Sequence, residues 1–385
     1  MAEDEMGSKY PAVDTSICIE CGACVKMCPF INPASSGRPL QCFAAINLNE
    51  NVRLNSSSGG VFKALAQEIL SRGGIVVGAV FNKDWEVEHI ASENMVGVER
   101  MMGSKYVQSD TMDTFAQTRK HLVSGRTVLY TGTPCQIAGL KHFLRRDYET
   151  LITVEVICHG APERGVWRNY LREILTLPSV ERREKKSGFQ FPIKEPDVVI
   201  DDIAFRDKRS GWKKYSFALL LTSACKGYKI RFLPSIYQPF KENTFMKAFL
   251  SNWSLRPSCY VCQAKNGRSL ADLTLGDFWG IERTDIMPDD DKGISAIVSR
   301  SEKGLHLLQQ CEDLCLVECS YQDIFNSNPS IEKSVNLSGD ARYFHKIFPK
   351  RGFTRTFNSI YRPSFFRRVR ISMKYRLSAL LRIKS

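Results

Sequence analysis

Four cysteines within eleven residues constrain this chain more than any other feature. They stand as Cys18-x2-Cys21-x2-Cys24-x3-Cys28, followed at once by Pro29. This is the spacing of the bacterial ferredoxin run that holds a [4Fe–4S] cluster. Thiolates spaced this closely on a tight loop surround one cube while backbone N–H groups point at its sulfurs, and Gly22 lets the chain turn between ligands. A zinc loop is the competing reading. In two-cluster ferredoxins the fourth cysteine of such a run serves the other cluster, and no second run follows here. Either Cys28 closes the same cluster, or it serves a neighbouring one, or Cys42 supplies the missing ligand.

The chain holds 13 cysteines in 385 residues. An odd number fits a fully paired disulfide framework badly. The start, Met1-Ala-Glu-Asp-Glu, lacks the apolar stretch of a secretory signal, and no run of 18 apolar residues suggests a spanning helix. The expected location is the reducing cytosol, where clustered cysteines point to metal or redox chemistry. With 43% apolar and 25% charged residues, a disordered or fibrous chain is excluded.

From about Ser56 helical and strand patterns alternate. Val61–Leu70 has helical spacing; Ile75–Phe81 is a Val-rich run typical of a buried strand. Thr111–Val123 reads as helix, Thr127–Tyr130 as strand, Pro134–Leu144 as helix, Leu151–Ile157 as strand and Val166–Leu175 as helix. This rhythm predicts a largely parallel sheet. After Lys186 it breaks: Tyr215–Leu221 and Tyr228–Leu233 flank Lys226-Gly227 as a hairpin. A helix over Lys241–Asn252 follows, then a loop-rich stretch Arg256–Gly280, a strand Ile294–Ser299 and a helix Lys303–Glu312. The expected fold class is α+β, a short ferredoxin-like iron–sulfur segment (1–50) before a mixed α/β flavin and iron–sulfur domain (51–330) and a basic tail (331–385).

A second set of cysteines is dispersed. In Thr133-Pro134-Cys135 the threonine suits a helix N-cap and the proline the first helical position. Cys135 then sits in the first turn, where the helix dipole favours thiolate. Cys158 ends the next strand, so in a parallel sheet both lie at the carboxyl edge, where open α/β sheets bind ligands. With Cys259-x2-Cys262 they are candidates for a second cluster; a buried pair plus a small zinc knuckle reads equally well from spacing alone. Cys225, Cys311, Cys315 and Cys319 read as packing cysteines.

Two polar loops suit a phosphate-bearing cofactor. Ser56-Ser57-Ser58-Gly59-Gly60 opens a helix and exposes N–H donors at a positive dipole end, though a plain N-cap looks the same. In Gly103-Ser104-Lys105-Tyr106-Val-Gln-Ser109, Lys105 is a candidate to hold a phosphate or the negative charge of a reduced flavin. Asp277-Phe-Trp-Gly280 sets aromatics beside a carboxylate. Arg206, Lys208 and Arg209 lie close together as a candidate docking charge for an acidic coenzyme, and His159 is a candidate proton relay beside Cys158.

Taken in order, these blocks resemble the coenzyme F420 hydrogenase/dehydrogenase beta subunit family over residues 16–330. They are the cysteine run to Pro29, Asn55–Phe62, Gly103–Ser109, Gly132-Thr-Pro-Cys-Gln-Ile-Ala-Gly-Leu140, Cys158-His-Gly160, Phe205–Trp212, Arg256-Pro-Ser-Cys-Tyr-x-Cys262 and Leu275–Gly280. The resemblance implies an FAD-containing iron–sulfur oxidoreductase that moves electrons between a hydride carrier, coenzyme F420 being the candidate, and one-electron clusters. It implies pooling Cys135, Cys158, Cys259 and Cys262 as ligands, and a redox partner protein or coenzyme. Family members often carry two ferredoxin runs, where this chain has one. Many bacterial relatives look like partners of surface-polysaccharide synthesis. The rival readings are an electron-transfer subunit of a larger complex, with no substrate of its own, and a zinc-dependent nucleic-acid binder.

The charge is lopsided. Residues 331–385 hold 14 Lys or Arg against Glu332 and Asp340, so the tail carries +12 of the net +13. Arg367–Ile383 reads as a basic amphipathic helix, a candidate for contact with an anionic membrane face.

Overall fold

The computed structural model describes residues 1–176, 198–225, 228–231 and 236–362. The amphipathic stretch expected at Arg367–Ile383 lies outside them. Among the described residues no helix is long and apolar enough to cross a membrane.

The chain opens with a small hairpin, β1 (Ala2–Glu3) and β2 (Lys9–Tyr10), and a short helix α1 (Ala23–Lys26) inside the cysteine run. An eight-stranded sheet follows. Its strands are β3 (Gln41–Asn47), β4 (Ile75–Phe81), β5 (Val87–Ser92), β6 (Val128–Gly132), β7 (Leu151–Val156), β12 (Leu273–Asp277), β13 (Ser295–Ser299) and β14 (Leu314–Cys319), in the order β14-β3-β13-β12-β7-β6-β4-β5. The strands β4, β6, β7 and β12 are mutually parallel. The flanking pairs are antiparallel. Because β3 lies inside this sheet, the sheet takes in the end of the segment that sequence groups with the cysteine run. A short helix, α2 (Glu50–Leu54), leads from β3 to the serine loop.

Alternation along β4 shows how the sheet is covered. Ile75 and Val77 pack with α5 (Thr114–Val123) and α6 (Pro134–Leu144) on one face. Val76 and Val80 pack on the other with α3 (Val61–Ser71), α4 (Met95–Met101) and α9 (Glu302–Gln310). A strand buried on both faces reads as a continuous apolar run, which is why sequence finds it. The helix α6 starts as its sequence demands: Pro134 takes the first position and the Gln136 side chain accepts the Thr133 N–H at 2.9 Å.

A second sheet is antiparallel, built from β8 (Val198–Asp207), β9 (Ser216–Cys225), β10 (Tyr228–Arg231) and β11 (Ile236–Pro239). The expected hairpin is the β9–β10 pair, with Cys225 opposite Tyr228. This sheet packs on α7 (Arg164–Thr176) and α8 (Thr244–Leu250). Its core is aromatic, centred on the fully buried Trp167, Phe205, Phe217 and Phe245. The basic tail joins that core before it leaves the described residues. It forms α11 (Gly339–Arg351) and α12 (Phe353–Tyr361), which bury Phe344, Phe348, Phe353 and Phe357. The Glu173 carboxylate of α7 accepts the Phe353 and Thr354 N–H groups at 3.0 and 2.8 Å, an anion at a helix start. The helix α10 (Tyr321–Ser327) follows β14 and precedes these two tail helices.

The N-terminal hairpin is fastened to the base of α7. Met6 enters the aromatic core, and its carbonyl accepts the Gly165 N–H at 2.9 Å. Ser8 Oγ donates to the fully buried Glu163 and accepts from Arg256 Nε at 3.1 Å. Burial pushes the Glu163 carboxyl from its ordinary 4.5 up to about 7. The folded chain therefore keeps a proton that the unfolded chain releases, and this side chain withdraws stability as pH rises from about 4.5 to 7, by about 3 kcal/mol at most. Glu163→Gln should melt higher than the parent at pH 8, with the two curves converging near pH 4.5. Parallel curves across that range would show that Glu163 ionises normally.

Candidate functional site

Four parallel strands place four loops at one edge of the sheet. After β6 comes Thr133-Pro134-Cys135, after β7 Ile157-Cys158-His159, after β12 Phe278-Trp279, and β4 ends at Phe81. The strand β3 runs in the same sense as β12, since both are antiparallel to β13. Its end, Asn47, donates its N–H to the Gly59 carbonyl at 2.7 Å. The Ser56–Gly60 loop thus stands at the same edge.

The loop is fixed by its neighbours. Gly59 N–H donates to Ser295 Oγ at 2.9 Å and Ser58 Oγ donates to the Ile294 carbonyl at 2.8 Å. A Cβ on Gly59 would collide with the Ala45 carbonyl, so only glycine passes there. Gly60 begins α3 in the left-handed conformation at φ 86°. Ser57 Oγ accepts both the Ser104 N–H, at 2.6 Å, and the Ser104 hydroxyl, at 2.9 Å. The two polar loops singled out in the sequence are therefore joined side chain to backbone.

Lys105 turns inward. Its Nζ donates to the carbonyls of Met101, Met102 and Gly103 at 3.2, 2.9 and 3.3 Å, and burial pushes its pKa down to about 7. Tyr106 stacks on Phe249 at 4.8 Å between centroids and meets Phe205 edge-on at 5.6 Å.

The charges of the Phe205–Trp212 loop are not a free docking patch, which corrects the sequence expectation. Arg206 is buried, pairs through Nη1 with Asp277, and lies over the rings of Tyr215 at 4.7 Å and Trp279 at 5.2 Å. Its Nε and Nη2 are buried with no hydrogen-bond partner. Lys208 Nζ ties the carbonyls of Arg53, Ser58 and Lys292 together at 2.7, 3.0 and 2.7 Å, and burial pushes its pKa down to about 7. Arg209 pairs with its neighbour Asp207. The Trp212 Nε1–H donates to Asp277 at 2.8 Å, and its ring stacks on Trp279 at 4.8 Å and 9°.

Cys135, Cys158, Cys259 and Cys262 come together at the edge. Each thiol lies within electrostatic range of the other three. Cys135 is exposed at the start of α6 and the other three are half-buried. Burial raises the thiols of Cys158 and Cys262, and pushes that of Cys259 up to about 11. The set carries an N–H donor: Ala161 N–H reaches Cys259 Sγ at 3.4 Å. Among the described residues, no three Cys, His, Asp or Glu side chains are set to grip a single metal ion. His159 is held by Asn252, Nε2 to Oδ1 at 2.5 Å, and meets Phe249 edge-on at 5.3 Å. Phe249 therefore touches both Tyr106 of the polar loop and the residue after Cys158.

The ferredoxin-type run is exposed at Cys18, Cys21 and Cys24 and half-buried at Cys28. Gly22 turns the loop at φ 67°. Cys42 is buried in β3 opposite Cys319, packed among Ala44, Val298 and Cys319, with its thiol pushed up to about 11 by burial. Its surroundings are those of a packing cysteine. Cys311 and Cys315 also lie in the core, and the side chain of Cys225 is outside the described residues. Sequence reasoning missed Arg53, which pairs with Asp290 beneath the serine loop, and Lys265 beside the thiols. Single basic residues carry no spacing signal, and only long-range packing buries them.

Residues 11–30 match the family model of the 4Fe-4S binding domain. Residues 125–322 match the model for the C terminus of the coenzyme F420 hydrogenase/dehydrogenase beta subunit. The chain belongs to the coenzyme F420 hydrogenase/dehydrogenase beta subunit family, with a [4Fe–4S] ferredoxin-type segment at its front. One similar solved structure is titled a xenon derivatization of the F420-reducing [NiFe] hydrogenase complex from Methanosarcina barkeri. It aligns over 73% of this chain and 82% of that one, at 14% identity and a TM-score of 0.43. No curated protein matches the chain.

The Arg206–Asp277 pair tests how far this edge depends on internal charge. Asp277→Asn leaves the buried guanidinium without a countercharge and should cost about 3–5 kcal/mol in denaturant unfolding. Adding Arg206→Met should recover much of that loss; no recovery would mean that the carboxylate acts mainly through Trp212.

Proposed function

We propose that this chain is an iron–sulfur flavoprotein oxidoreductase. It passes electrons between a hydride carrier, coenzyme F420 being the candidate, and two [4Fe–4S] clusters. The observation that carries the reading is the meeting of Cys135, Cys158, Cys259 and Cys262 at the sheet edge that also holds the Ser57–Ser104 loops.

The thiol set fits a cluster. A cube spans more than one ion, so its ligands stand further apart than single-ion ligands. The Ala161 N–H aimed at the Cys259 sulfur is the kind of donor that tunes such a group. The other site fits FAD. Ser57, Ser58, Gly59 and Gly60 lead into the α3 N-terminus, where a diphosphate is favoured. Ser104 holds this loop in place. The unpartnered Nε and Nη2 of Arg206, with Lys105 and Tyr106 on the adjoining loop, suit a ring that gains negative charge. When bound, a flavin supplies the exchange between two-electron hydride and one-electron chemistry. The chain's own part is to orient ring and clusters, exclude water and hold charge; Phe249 packs the space between the Tyr106 loop and the Cys158 turn. In this reading Cys18, Cys21, Cys24 and Cys28 hold the outer cluster. The choice of hydride carrier and a link to polysaccharide synthesis rest on the family resemblance rather than on the site.

A second reading keeps the same cofactors but makes the chain the electron-transfer subunit of a larger complex. The exposure of Ile17, Ile19, Phe30 and Ile31 beside the cysteine run favours it, since a redox partner would cover them. Turnover of the hydride carrier by the isolated chain separates the two.

Anaerobically prepared protein should hold about eight irons per chain and extractable FAD. Cys135→Ser should lose one EPR signal while the ferredoxin-type signal survives. Four irons with an unchanged spectrum in Cys135→Ser would remove the inner cluster, and zinc in place of iron would sink the whole reading.

A further inference from the structure

Lys265 lies three residues beyond Cys262 and is buried, 4% exposed. Its ammonium donates to the Lys333 carbonyl at 2.9 Å, and the next residue, Ser334, accepts the Cys262 N–H on its Oγ at 3.1 Å, which sets this segment against the thiols. All four thiols, Cys158, Cys262, Cys259 and Cys135, face Lys265 within electrostatic range. Arg256, the cation that also faces Cys259, has its guanidinium engaged by Ser8 and the Lys9 carbonyl. A long amphipathic side chain ordinarily carries its charge out to water. Here it is turned inward and shared by every sulfur of the set.

We propose that Lys265 raises the reduction potential of the inner cluster above the value that the same four thiolates would give without its charge. The inference rests on the reading that these four thiolates hold a [4Fe–4S] cluster. One-electron reduction adds a single negative charge to the cluster and its thiolates, with no bond made or broken. A fixed positive charge beside the sulfurs stabilises the reduced form more than the oxidised form, and the low local dielectric of a buried site magnifies the difference. In turnover the carrier's hydride would go to the flavin, which would pass its two electrons on singly, and in a titration a low-potential chemical reductant supplies the electron. In the ferredoxin-type run the cation is Lys26, exposed like Cys18, Cys21 and Cys24, so water and salt screen its charge. The arrangement thus gives the two clusters different electrostatic settings within one chain.

The test is an EPR-monitored redox titration of the full-length, iron-loaded protein and two variants. Lys265→Gln keeps a donor for the Lys333 carbonyl and removes the charge. Lys265→Arg keeps the charge. The inner-cluster midpoint should move to lower potential in Lys265→Gln and stay near the parent value in Lys265→Arg, with the outer-cluster midpoint unchanged in both. If both clusters are present and the inner midpoint is the same in Lys265→Gln as in the parent, the proposal is overturned while the two-cluster reading stands. It is equally overturned if Lys265→Gln loses the inner signal and Lys265→Arg does too, since the side chain then supports the fold of the site rather than its potential. A parent protein with only four irons overturns the reading itself, and iron content reports that separately from the midpoint.

Discussion

Everything at the candidate site depends on four strands ending on the same side. Parallel strands cannot be joined by tight hairpins, so β6 returns to β7 through α6 and β7 reaches β12 by way of α7 and the second sheet, and the loop after each parallel strand falls at one edge. The chain uses that edge four times, after β4, β6, β7 and β12. Residues as far apart as Ser57, Cys135, Cys158 and Cys262 become neighbours of one region without any being close in sequence. The antiparallel additions, β3, β13 and β14 on one side and β5 on the other, widen the sheet without moving the edge. They also bring the serine loop in from β3, through the Asn47–Gly59 hydrogen bond.

How much of this the sequence discloses depends on what each element is buried against. The strand β4 is legible because both its faces are covered, and Ile-Val-Val-Gly-Ala-Val-Phe can hardly be anything else. The helix α6 is legible because Thr133 and Pro134 specify its start chemically. The strand β12 is not. It is short, Leu-Thr-Leu-Gly-Asp, and Thr274 is inside only because its hydroxyl donates to the buried Glu155 at 2.8 Å, a partner on β7 that no local pattern reveals. The strand β3 is hidden beside the louder cysteine run. In the basic tail, Phe344, Phe348, Phe353 and Phe357 recur at roughly helical spacing, but the surrounding Lys and Arg residues suggest an exposed segment. Docking on α7 makes it a core element.

The candidate site shows the same division. Spacing finds the ferredoxin-type run, because its four cysteines stand within eleven residues and the stretch that holds them matches the 4Fe-4S binding domain. The dispersed cysteines are found only as a set of possibilities, and topology is what unites them. Charge is read least well. The Arg206–Lys208–Arg209 cluster looks like a docking surface by composition, yet its members face Asp277, three carbonyls and Asp207. Their work is internal: one completes an ion pair behind the site, one ties the serine loop to its surroundings, one stays at the surface.

That internal charge is the feature most in need of a physical reason. The first 330 residues carry a net charge of only +1, so the position of each cation matters more than the total. Burial lowers the pKa of Lys105, Lys208 and Lys265 alike, and all three belong to the candidate edge. Holding a cation away from water costs free energy, and a neighbouring negative charge offsets that cost. Thiolates, phosphates and a reduced flavin ring are all negative, and each would be expensive to bury among apolar groups alone. Fixed lysines and the Arg206 guanidinium lower that expense without needing water to reorient as charge arrives. The coupling runs both ways, since each cation that favours negative charge is itself favoured by it. In the proposed reading, an edge that carries Lys105 and Arg206 toward one loop pair and Lys265 toward the thiols biases where an added electron rests, through residues that take no part in covalent chemistry.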